Sequence, residues 1–303
     1  MHLPGETVAQ VDQFAEQCNF KNGGLVLDLD GTALLERESR VFISVAVENA
    51  VRAVHDLKRP VILNTLRFPI SVLTTVGEAW YQIADVPILT VLLNGAVSGY
   101  IVRTNGKLEY EELLAFPLRP PEIKKMLTGV AELLDAGISD LLLFFYTRNW
   151  REGESLWTPH AERIDGLKQK YLSASRVFSG SLAELKDELL KHEICMSCLF
   201  IDRPQDTLMA YQHSKRNSFF TAPGIDKGSG LRALAEKLGF SLDDSIGAGD
   251  TEMDSFLSEV GLAVIVGRGQ LPYQGRRATV RVANPQELGD LILRFASKAA
   301  EAT

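Results

Sequence analysis

Short apolar runs alternate with segments of helical periodicity in the first part of the chain. One apolar run starts at Leu25, and residues 42–57 carry apolar side chains at helical spacing before a second run starts at Val61. This order predicts a strand, a helix and a second strand. A helix over about residues 70–83 and a short strand over residues 88–93 continue the alternation, which is typical of a parallel doubly wound sheet.

The alternation is interrupted between about residues 116 and 214, where a second set of elements replaces it. Turn, proline and capping-box signals divide this part of the chain. A hairpin turn is predicted at Gly106-Lys107, just before the segment. Within the segment, the predicted elements are a helix over residues 120–136, an apolar strand over residues 140–146, a helix that starts at Thr158-Pro159, and another helix that starts at the capping box of Ser181 with Glu184. We interpret the segment as a compact α/β module inserted into the doubly wound one.

The alternation of predicted strands and helices resumes after the inserted segment. Its predicted elements are a strand at 218–221, a helix over 230–238 closed by Gly239, strands at 244–248, 262–266 and 279–283, and a final helix capped by Asn284 with Pro285 in its first turn. We therefore predict an α/β protein. Its core is a Rossmann-like doubly wound parallel sheet built from residues 1–115 and 215–303, and residues 116–214 form an inserted α/β cap domain.

Composition narrows the range of partners. The 303 residues carry a net charge of −7, which argues against a general nucleic-acid or anionic-membrane surface. An anionic small molecule would have to be held by a local group of cations or by a metal. Residues 1–21 lack a basic region followed by an apolar core, and no stretch approaches the length of a membrane span, so we expect a cytoplasmic protein. The oligomeric state is left open between monomer and homodimer.

The three cysteines do not indicate a disulfide framework or a zinc site, because they are few, odd in number and without a histidine-rich partner segment. Cys195 and Cys198 lie in an apolar run that ends at Ile201, and we interpret them as interior residues of a strand. A thioredoxin-like redox pair is the alternative, but such a pair would open a helix after a strand.

Two acids, Asp28 and Asp30, end the first apolar run, and Gly31 and Thr32 follow them. A buried strand that ends this way delivers carboxylates to the carboxyl edge of the sheet, where ligands bind in open α/β folds. Two carboxylates about 4 Å apart repel by roughly 4 kcal/mol at an effective dielectric near 20. A positive group between them, or a proton on one of them, is therefore required. Oxygen ligands of this kind suit Mg²⁺.

Further polar residues follow predicted strands or start a predicted helix, namely Thr65, Lys227, Asp250 and Asp254. The doubly wound arrangement places all of them on the same rim as Asp28. Each has a structural alternative: Thr65 could cap the next helix, Lys227 could be solvated, and Asp250 could be the N-cap of the helix after it. Their occurrence together and in this order favours a shared site.

These residues form a pattern that resembles the four ordered motifs of the haloacid dehalogenase superfamily. The motifs are Asp28-Leu-Asp-Gly-Thr32, Thr65, Lys227 and Gly249-Asp-Thr-Glu-Met-Asp254. The insert, preceded by Leu93-Asn-Gly-Ala96 and followed by Pro223-Gly-Ile-Asp-Lys-Gly-Ser229, is similar to that of the branch with an α/β cap. That branch is rich in phosphatases acting on sucrose, trehalose and mannosylglycerate phosphates, and it also contains phosphomannomutase-like proteins.

The resemblance implies catalytic roles for four residues. Asp28 would attack phosphorus to give an aspartyl phosphate, and Asp30 would protonate the leaving alcohol and later deprotonate the attacking water. Thr65 would donate a hydrogen bond to a phosphoryl oxygen. Lys227 would neutralise the charge of the phosphoryl group while restraining Asp28.

Mg²⁺ is the cofactor that the resemblance implies. Asp28, Asp250 and the backbone carbonyl of Asp30 would hold the ion, and Asp254 would lie in the layer behind these ligands or pair with Lys227. Phosphoryl transfer needs positioning and charge neutralisation more than elaborate acid–base machinery, so few side chains suffice. The implied activity is that of a magnesium-dependent phosphatase for a small phosphorylated metabolite such as a sugar phosphate.

Substrate selection would fall to the cap, which can close over the site and exclude water. A cluster of aromatic and basic residues surrounds the end of its predicted strand, and its members are Tyr146, Arg148, Trp150, Trp157, His160 and Arg163. Arginine can clamp an anion and aromatic faces can stack on sugar rings, so we predict that Arg148 and Trp157 bind the substrate, together with Gly31, Arg67 and Asn94 from the core. The alternative is that the tryptophans are interior residues and the arginines lie on a solvated face.

Two residues depart from the pattern of this branch. Leu66 stands where a glycine commonly follows Thr65, and Met253 stands where an asparagine commonly precedes the last aspartate; a thioether cannot replace an amide that orients a ligand. These departures keep open a catalytically weakened phosphometabolite-binding or regulatory protein. A phosphomutase, which shares the aspartyl phosphate, is a third alternative. The motif order and the insert disfavour a CheY-like phosphoacceptor.

Overall fold

The computed structural model describes residues 3–37, 40–201 and 218–301. In chain order the strands are β1 (Leu25–Leu27), β2 (Leu34–Arg37), β3 (Arg40–Ile43), β4 (Val61–Asn64), β5 (Ile88–Leu92), β6 (Val97–Thr104), β7 (Lys107–Ala115), β8 (Leu141–Thr147), β9 (Glu154–Thr158), β10 (Ala174–Ser179), β11 (Ile194–Ile201), β12 (Ser218–Phe220), β13 (Ile246–Gly249), β14 (Leu262–Val266) and β15 (Ala278–Val282).

The α-helices are α1 (Gly5–Gln17), α2 (Val45–Asp56), α3 (Pro69–Val72), α4 (Glu78–Ala84), α5 (Pro120–Asp135), α6 (Ile164–Lys170), α7 (Leu182–Leu189), α8 (Lys227–Leu238) and α9 (Pro285–Glu301). A π-helical turn over Leu73–Gly77 joins α3 to α4, and a 3₁₀ turn over Ser255–Ser258 follows β13. Within the described ranges, no helix combines the length and the apolar run that a membrane crossing needs.

The main sheet has the strand order β15-β14-β13-β1-β4-β5-β6-β7. Pairing is parallel from β15 to β5 and antiparallel for the hairpin of β6 and β7, whose turn contains Asn105 and Gly106. Both turn residues have positive φ, 52° and 77°, so the turn lies one residue before the predicted Gly106-Lys107, and Lys107 starts β7. The predicted doubly wound α/β core is therefore confirmed.

Side chains of β1 alternate between two apolar layers, which is why this strand reads as a continuous apolar run. Leu25 and Leu27 pack in the cluster that includes residues of α2 and α9, whereas Val26 packs in the cluster that includes residues of α8. All three side chains are fully buried. The strand is thus held from both faces, and the residue that follows it emerges at a fixed point on the sheet edge.

The second sheet has the order β10-β9-β8-β11-β12, and α5 and α7 cover one of its faces. Cys195 and Cys198 are buried within β11, as predicted. The strand at residues 218–221 is predicted to belong to the core sheet, but the observed strand β12 pairs antiparallel with β11 in this second sheet. The predicted domain boundary at residue 215 lies outside the described residues.

Three local predictions need correction. Residues 42 and 43 belong to β3, which pairs with β2 in a hairpin next to the first motif, so the helix predicted from residue 42 starts at Val45. The strand β9 was not predicted, because its buried Glu154 and Thr158 hide it from an apolar pattern. The helix start predicted at Thr158 is wrong, since Thr158 ends β9 and α6 begins at Ile164.

Candidate active site

The predicted motif residues meet at the carboxyl edge of the main sheet. Asp28 directly follows β1 and its N–H donates to the carbonyl of Ala248 in β13 at 3.0 Å, while Thr65 follows β4 and donates to the carbonyl of Val91 in β5 at 2.9 Å. Asp250 follows β13. Because parallel strands end at the same edge, residues far apart in sequence come together there.

Lys227 lies at the centre of the site. Its Nζ is 2.6 Å from Asp28 Oδ1 and 2.6 Å from Asp254 Oδ1, and all three side chains are buried. Lys227 is the first residue of α8, whose N-cap is Asp226. Asn64 at the end of β4 donates from Nδ2 to the Lys227 carbonyl at 3.0 Å. The helix start and the strand end together fix the position of the ammonium group.

Asp254 uses both of its carboxylate oxygens within the site. Oδ1 accepts from Lys227, and Oδ2 accepts from the backbone N–H groups of Asp250 and Thr251, each at 2.9 Å. Asp254 therefore closes the turn after β13 and pairs with Lys227, which is one of the two placements predicted for it. Because both oxygens of Asp254 are engaged in these contacts, its side chain holds Lys227 and the turn after β13 in place.

Gly31 brings the chain into contact with Asp250. Its φ is +82°, and a Cβ on this residue would lie 2.2 Å from Asp250 Oδ2. Thr32 Oγ1 donates to Asp250 Oδ1 at 3.1 Å. Only glycine fits both the backbone conformation and the close approach. The contact explains on structural grounds why glycine occupies position 31. The predicted binding of substrate by Gly31 stays a prediction.

Burial and mutual repulsion shape the charges of the acids. Burial raises the pKa of Asp28 well above its usual range, the charges of Asp254 and Asp250 raise it further, and Lys227 opposes the rise. Burial, with the charge of Asp254, also raises the pKa of Asp250 to about 6. Burial lowers the pKa of Lys227, but the charges of Asp254 and Asp28 outweigh this effect and raise the pKa above its ordinary value.

The donor set fits a magnesium ion. Carboxylate oxygens of Asp28, Asp250 and Asp254 lie within 4.8 Å of one another, and three carboxylates against the one ammonium of Lys227 leave two negative charges uncompensated when all are ionised. A hard divalent cation neutralises that excess with the ligand type it prefers. Since both oxygens of Asp254 are engaged, Asp28 and Asp250 are the side chains that would hold the ion.

Asp30 forms an ion pair with Arg67. Arg67 Nε donates to Asp30 Oδ2 at 2.8 Å and Arg67 Nη2 donates to Asp30 Oδ1 at 2.6 Å, while Arg67 Nη1 donates to Thr75 Oγ1 at 2.9 Å. The two carboxylates of the first motif are therefore compensated separately, Asp28 by Lys227 and Asp30 by Arg67. The Arg67 guanidinium is engaged with these protein groups, and its predicted substrate binding stays a prediction.

Thr65 and Asn94 line the same edge. The Thr65 side chain is buried, and its Oγ1 accepts from the Arg67 N–H at 3.2 Å. Asn94 follows β5 with a φ of +55°, and its buried Oδ1 has no hydrogen-bond partner among the described residues. An unpaired buried acceptor is costly, which is consistent with a ligand nearby. The roles of both residues in substrate binding stay predictions.

The prediction that Trp157 stacks on a sugar is wrong. Its ring is fully buried among residues of α5 and α7, and Nε1 donates to the Gly180 carbonyl at 3.1 Å. Arg148 donates to Glu112 of β7 at 2.8 Å and pairs with Glu193 at 3.3 Å, so its guanidinium is already neutralised. Trp157 is therefore an interior residue, which was the structural alternative for this cluster. Arg148 links the second sheet to β7 of the main sheet.

The other members of the predicted cluster also have protein partners. Tyr146 donates to Glu154 at 2.6 Å, Trp150 contacts the ring of Tyr110, His160 lies beside Glu162, and Arg163 pairs with Asp140. Asn64 was missed, although it ends an apolar run next to Thr65 and so carried the same signal as the motif residues. Ser255, which accepts from the Gly228 N–H at 2.9 Å, gave no sequence signal.

Residues 184–274 match the family model of haloacid dehalogenase-like hydrolases. This segment contains Lys227, Asp250 and Asp254, and the fold brings Asp28 to them. The matched segment, which is less than a third of the chain, is therefore similar to this family. No curated protein sequence matches the chain.

Solved structures share the fold of this chain over most of its length. BT4131, described as a sugar phosphatase of subclass IIB, has a TM-score of 0.61 and 18% identity over 89% of this chain and 96% of its own. BT1666 from Bacteroides thetaiotaomicron, described among phosphatases of the superfamily, has a TM-score of 0.63 and 17% identity over 92% and 97%. A haloacid dehalogenase-like hydrolase from B. subtilis has a TM-score of 0.59 and 18% identity over 89% and 98%. At these identities the likeness concerns the fold alone.

Proposed function

We propose that the protein is a Mg²⁺-dependent phosphatase that hydrolyses a small phosphorylated metabolite of the sugar-phosphate class through an aspartyl phosphate. The observation that carries this proposal is the buried carboxylate of Asp28 at the sheet edge, 2.6 Å from Lys227, which Asp254 holds from behind. A fixed cation beside a carboxylate nucleophile is what phosphoryl transfer to aspartate requires.

In the first half-reaction the Asp28 carboxylate attacks phosphorus, and the bond between phosphorus and the leaving oxygen breaks. Asp30, whose side chain is 33% exposed and takes up a proton from solvent before this step, gives that proton to the leaving oxygen, so an alcohol leaves. Lys227 neutralises charge on the phosphoryl oxygens. The Thr65 hydroxyl, which accepts from Arg67 N, keeps its hydrogen to donate to one of them.

In the second half-reaction a water molecule attacks the phosphorus of the aspartyl phosphate. Asp30, now a carboxylate, takes the proton of that water, and the bond between phosphorus and Asp28 breaks to release phosphate. Both carboxyl groups then have their starting forms. When bound by Asp28 and Asp250, Mg²⁺ supplies positive charge against the phosphoryl oxygens.

The substrate class rests on two supports. BT4131, which shares the fold over 89% of the chain, is described as a sugar phosphatase. The second sheet lies beside the site, since the ring of Tyr146 in β8 is 5.2 Å from the ring of Phe68, which follows Arg67. A sheet placed there restricts the space above the carboxyl edge, which favours a small substrate over a macromolecule.

The departure at Leu66 supports an active enzyme over a weakened one. Leu66 is buried, and it is absent from the residues with positive φ in the described ranges. A glycine at this position is therefore dispensable for the backbone, since leucine adopts the local conformation without left-handed strain.

The proposal is tested by phosphate release from a panel of phosphorylated metabolites, with Mg²⁺ and with a chelator, for the wild-type protein and for Asp28→Asn. We expect Mg²⁺-dependent release that Asp28→Asn abolishes. Asp12→Asn is the matched control, since Asp12 pairs with Arg294 between α1 and α9, away from the site. Tight binding of a phosphorylated metabolite without release would favour the binding-protein alternative, and transfer to a second position of the same metabolite would favour a phosphomutase.

A further inference from the structure

The guanidinium of Arg67 is hydrogen-bonded to Asp30, Ser71 and Thr75 at a position that is almost completely buried. The side chain is 1% exposed, whereas the side chain of its partner Asp30 is 33% exposed. Nε and Nη2 donate to the two oxygens of Asp30 at 2.8 and 2.6 Å. Nη1 donates to Ser71 Oγ at 3.4 Å and to Thr75 Oγ1 at 2.9 Å. The arginine is thus a fixed point, and Asp30 reaches from it toward solvent.

The surroundings of Arg67 hold it in place independently of Asp30. Ser71 belongs to α3, and Thr75 belongs to the π-helical turn that joins α3 to α4. Thr75 Oγ1 also donates to the Ser71 carbonyl at 2.6 Å. π-Helical turns of this kind occur frequently at functional sites. The turn presents a hydroxyl to the guanidinium and so fixes the plane of its fork.

A bidentate contact of this kind fixes the plane of a carboxylate as well as its position. Without it, the partly exposed carboxyl of Asp30 could rotate about its side-chain bonds. A general acid works only within hydrogen-bonding reach of the oxygen that receives its proton, so orientation decides its efficiency.

We infer that Arg67 is the positioning residue that orients Asp30 for proton transfer to the leaving group, an inference that rests on the function proposed above. Arg67 itself transfers no proton and touches no phosphoryl oxygen. In the first half-reaction the proton passes from Asp30 to the leaving oxygen as its bond to phosphorus breaks. In the second, the carboxylate held by Arg67 takes a proton from the attacking water.

This role makes a prediction that a purely structural role does not make. A poor leaving group, such as the alkoxide of a sugar, needs the proton, whereas p-nitrophenolate leaves without it. Loss of the orientation of Asp30 should therefore slow the hydrolysis of alkyl phosphates and spare p-nitrophenyl phosphate. Damage to the fold or to Asp28 would slow both substrates by the same factor.

The experiment compares kcat/KM for the fastest hexose phosphate of the panel with kcat/KM for p-nitrophenyl phosphate. We expect Arg67→Met to lower the value for the hexose phosphate by at least about tenfold more than the value for p-nitrophenyl phosphate, given the size of general acid effects. Arg67→Lys keeps the charge but loses the fork, so it should show the same selective loss. It also serves if Arg67→Met does not fold.

A double-mutant cycle and a matched control complete the test. With the hexose phosphate, Asp30→Asn combined with Arg67→Met should be no slower than Asp30→Asn alone, because Arg67 acts through Asp30. Arg294→Met is the control, since Arg294 donates from two nitrogens to Asp12 at a distant position and its loss should leave both substrates unaffected.

Two results would overturn the inference. An equal loss for both substrates, or a further loss when Arg67→Met is added to Asp30→Asn, shows that Arg67 acts otherwise while the proposed phosphatase stands. Failure of the wild-type protein to release phosphate from either substrate overturns the proposed function, and the inference falls with it.

Discussion

At the scale of single residues, the site assigns different tasks to chemically identical acids through their partners. Asp254 uses both oxygens on Lys227 and two backbone N–H groups, Asp30 uses both on Arg67, and Asp28 shares only Oδ1 with Lys227. Among the described residues, Asp28 is therefore the buried acid of the three that has only one oxygen on a cation and none on a backbone N–H. The roles proposed for these acids therefore rest on the partner of each one, since the residue type is the same.

Gly31→Ala tests the packing between the first and fourth motifs. A methyl group there would lie 2.2 Å from Asp250 Oδ2 and would force a left-handed backbone on alanine, so we expect a loss of stability of about 1 kcal/mol or more and at least a tenfold loss of phosphate release. Thermal unfolding and initial rates measure the two effects.

Gly267→Ala is the matched control for that substitution. Gly267 has a φ of +84° but nothing within 4 Å of an added methyl group, so alanine meets only the backbone strain there. Gly267→Ala should lose about 1 kcal/mol of stability from that strain, less than Gly31→Ala, and keep its activity. If Gly31→Ala retained full activity, the close contact with Asp250 would have no functional consequence.

The motif residues that meet at the site could be predicted from the sequence, but their partners could not. Strand ends and helix starts place Asp28, Lys227 and Asp250 on one edge, because the topology of a doubly wound sheet dictates it. That Arg67 pairs with Asp30, or that Trp157 is buried beneath helices, depends on side-chain packing between separate elements. Periodicity along the chain carries no information about such contacts.

At the scale of elements, the apolar strands and the well-capped helices are those that the pattern predicted. The helix α7 begins after Ser181, whose hydroxyl accepts from Glu184 N as the capping box requires, and α9 begins after Asn284. The hairpin of β2 and β3 and the strand β9 were missed. In β9, polar side chains are buried because they hydrogen-bond to neighbours, so burial there does not follow hydrophobicity.

Glu154 in β9 gives a pH-dependent prediction for the second sheet. Burial raises its pKa, and hydrogen bonds from Tyr146 at 2.6 Å and Ser173 at 2.8 Å oppose the rise. Because the pKa is higher in the folded than in the unfolded state, its contribution to stability is full below the unfolded pKa and is lost as the pH rises through the folded pKa. Relative to Glu154→Gln, the wild-type protein should therefore lose stability as the pH rises.

Urea unfolding of both proteins at several pH values from acidic to neutral measures this difference. Glu184→Gln is the control of opposite sign, since the N–H of Ser181 lowers the pKa of Glu184 and its stabilisation is lost as the pH falls. A stability difference between wild type and Glu154→Gln that does not change with pH would contradict the account.

At the scale of the whole molecule, the site forms only when the chain is folded, because its parts are distant in sequence. Lys227 and its partner Asp28 are 199 positions apart, and the family match over residues 184–274 contains only one of the two. A ligand that needs both parts therefore binds the folded state alone and stabilises it.

Mg²⁺ should consequently raise the unfolding temperature. At a concentration of about 100 times its Kd the expected stabilisation is about 2.7 kcal/mol, and Asp250→Asn should abolish it, since Asp250 is one of the two side chains proposed to hold the ion. Calorimetry with and without a chelator measures the shift. Asp12→Asn should respond as the wild type does, and an undiminished shift in Asp250→Asn would place the ion elsewhere.

The most direct test of the central claim is to trap the covalent intermediate. The wild-type protein is mixed with the fastest substrate of the panel and Mg²⁺, quenched in acid within one turnover, and digested for mass spectrometry. We predict one phosphoryl group on Asp28, lost on treatment with hydroxylamine and absent from Asp28→Asn. Turnover with no phosphorylated Asp28, undiminished in Asp28→Asn, would contradict the assignment of Asp28 as the nucleophile.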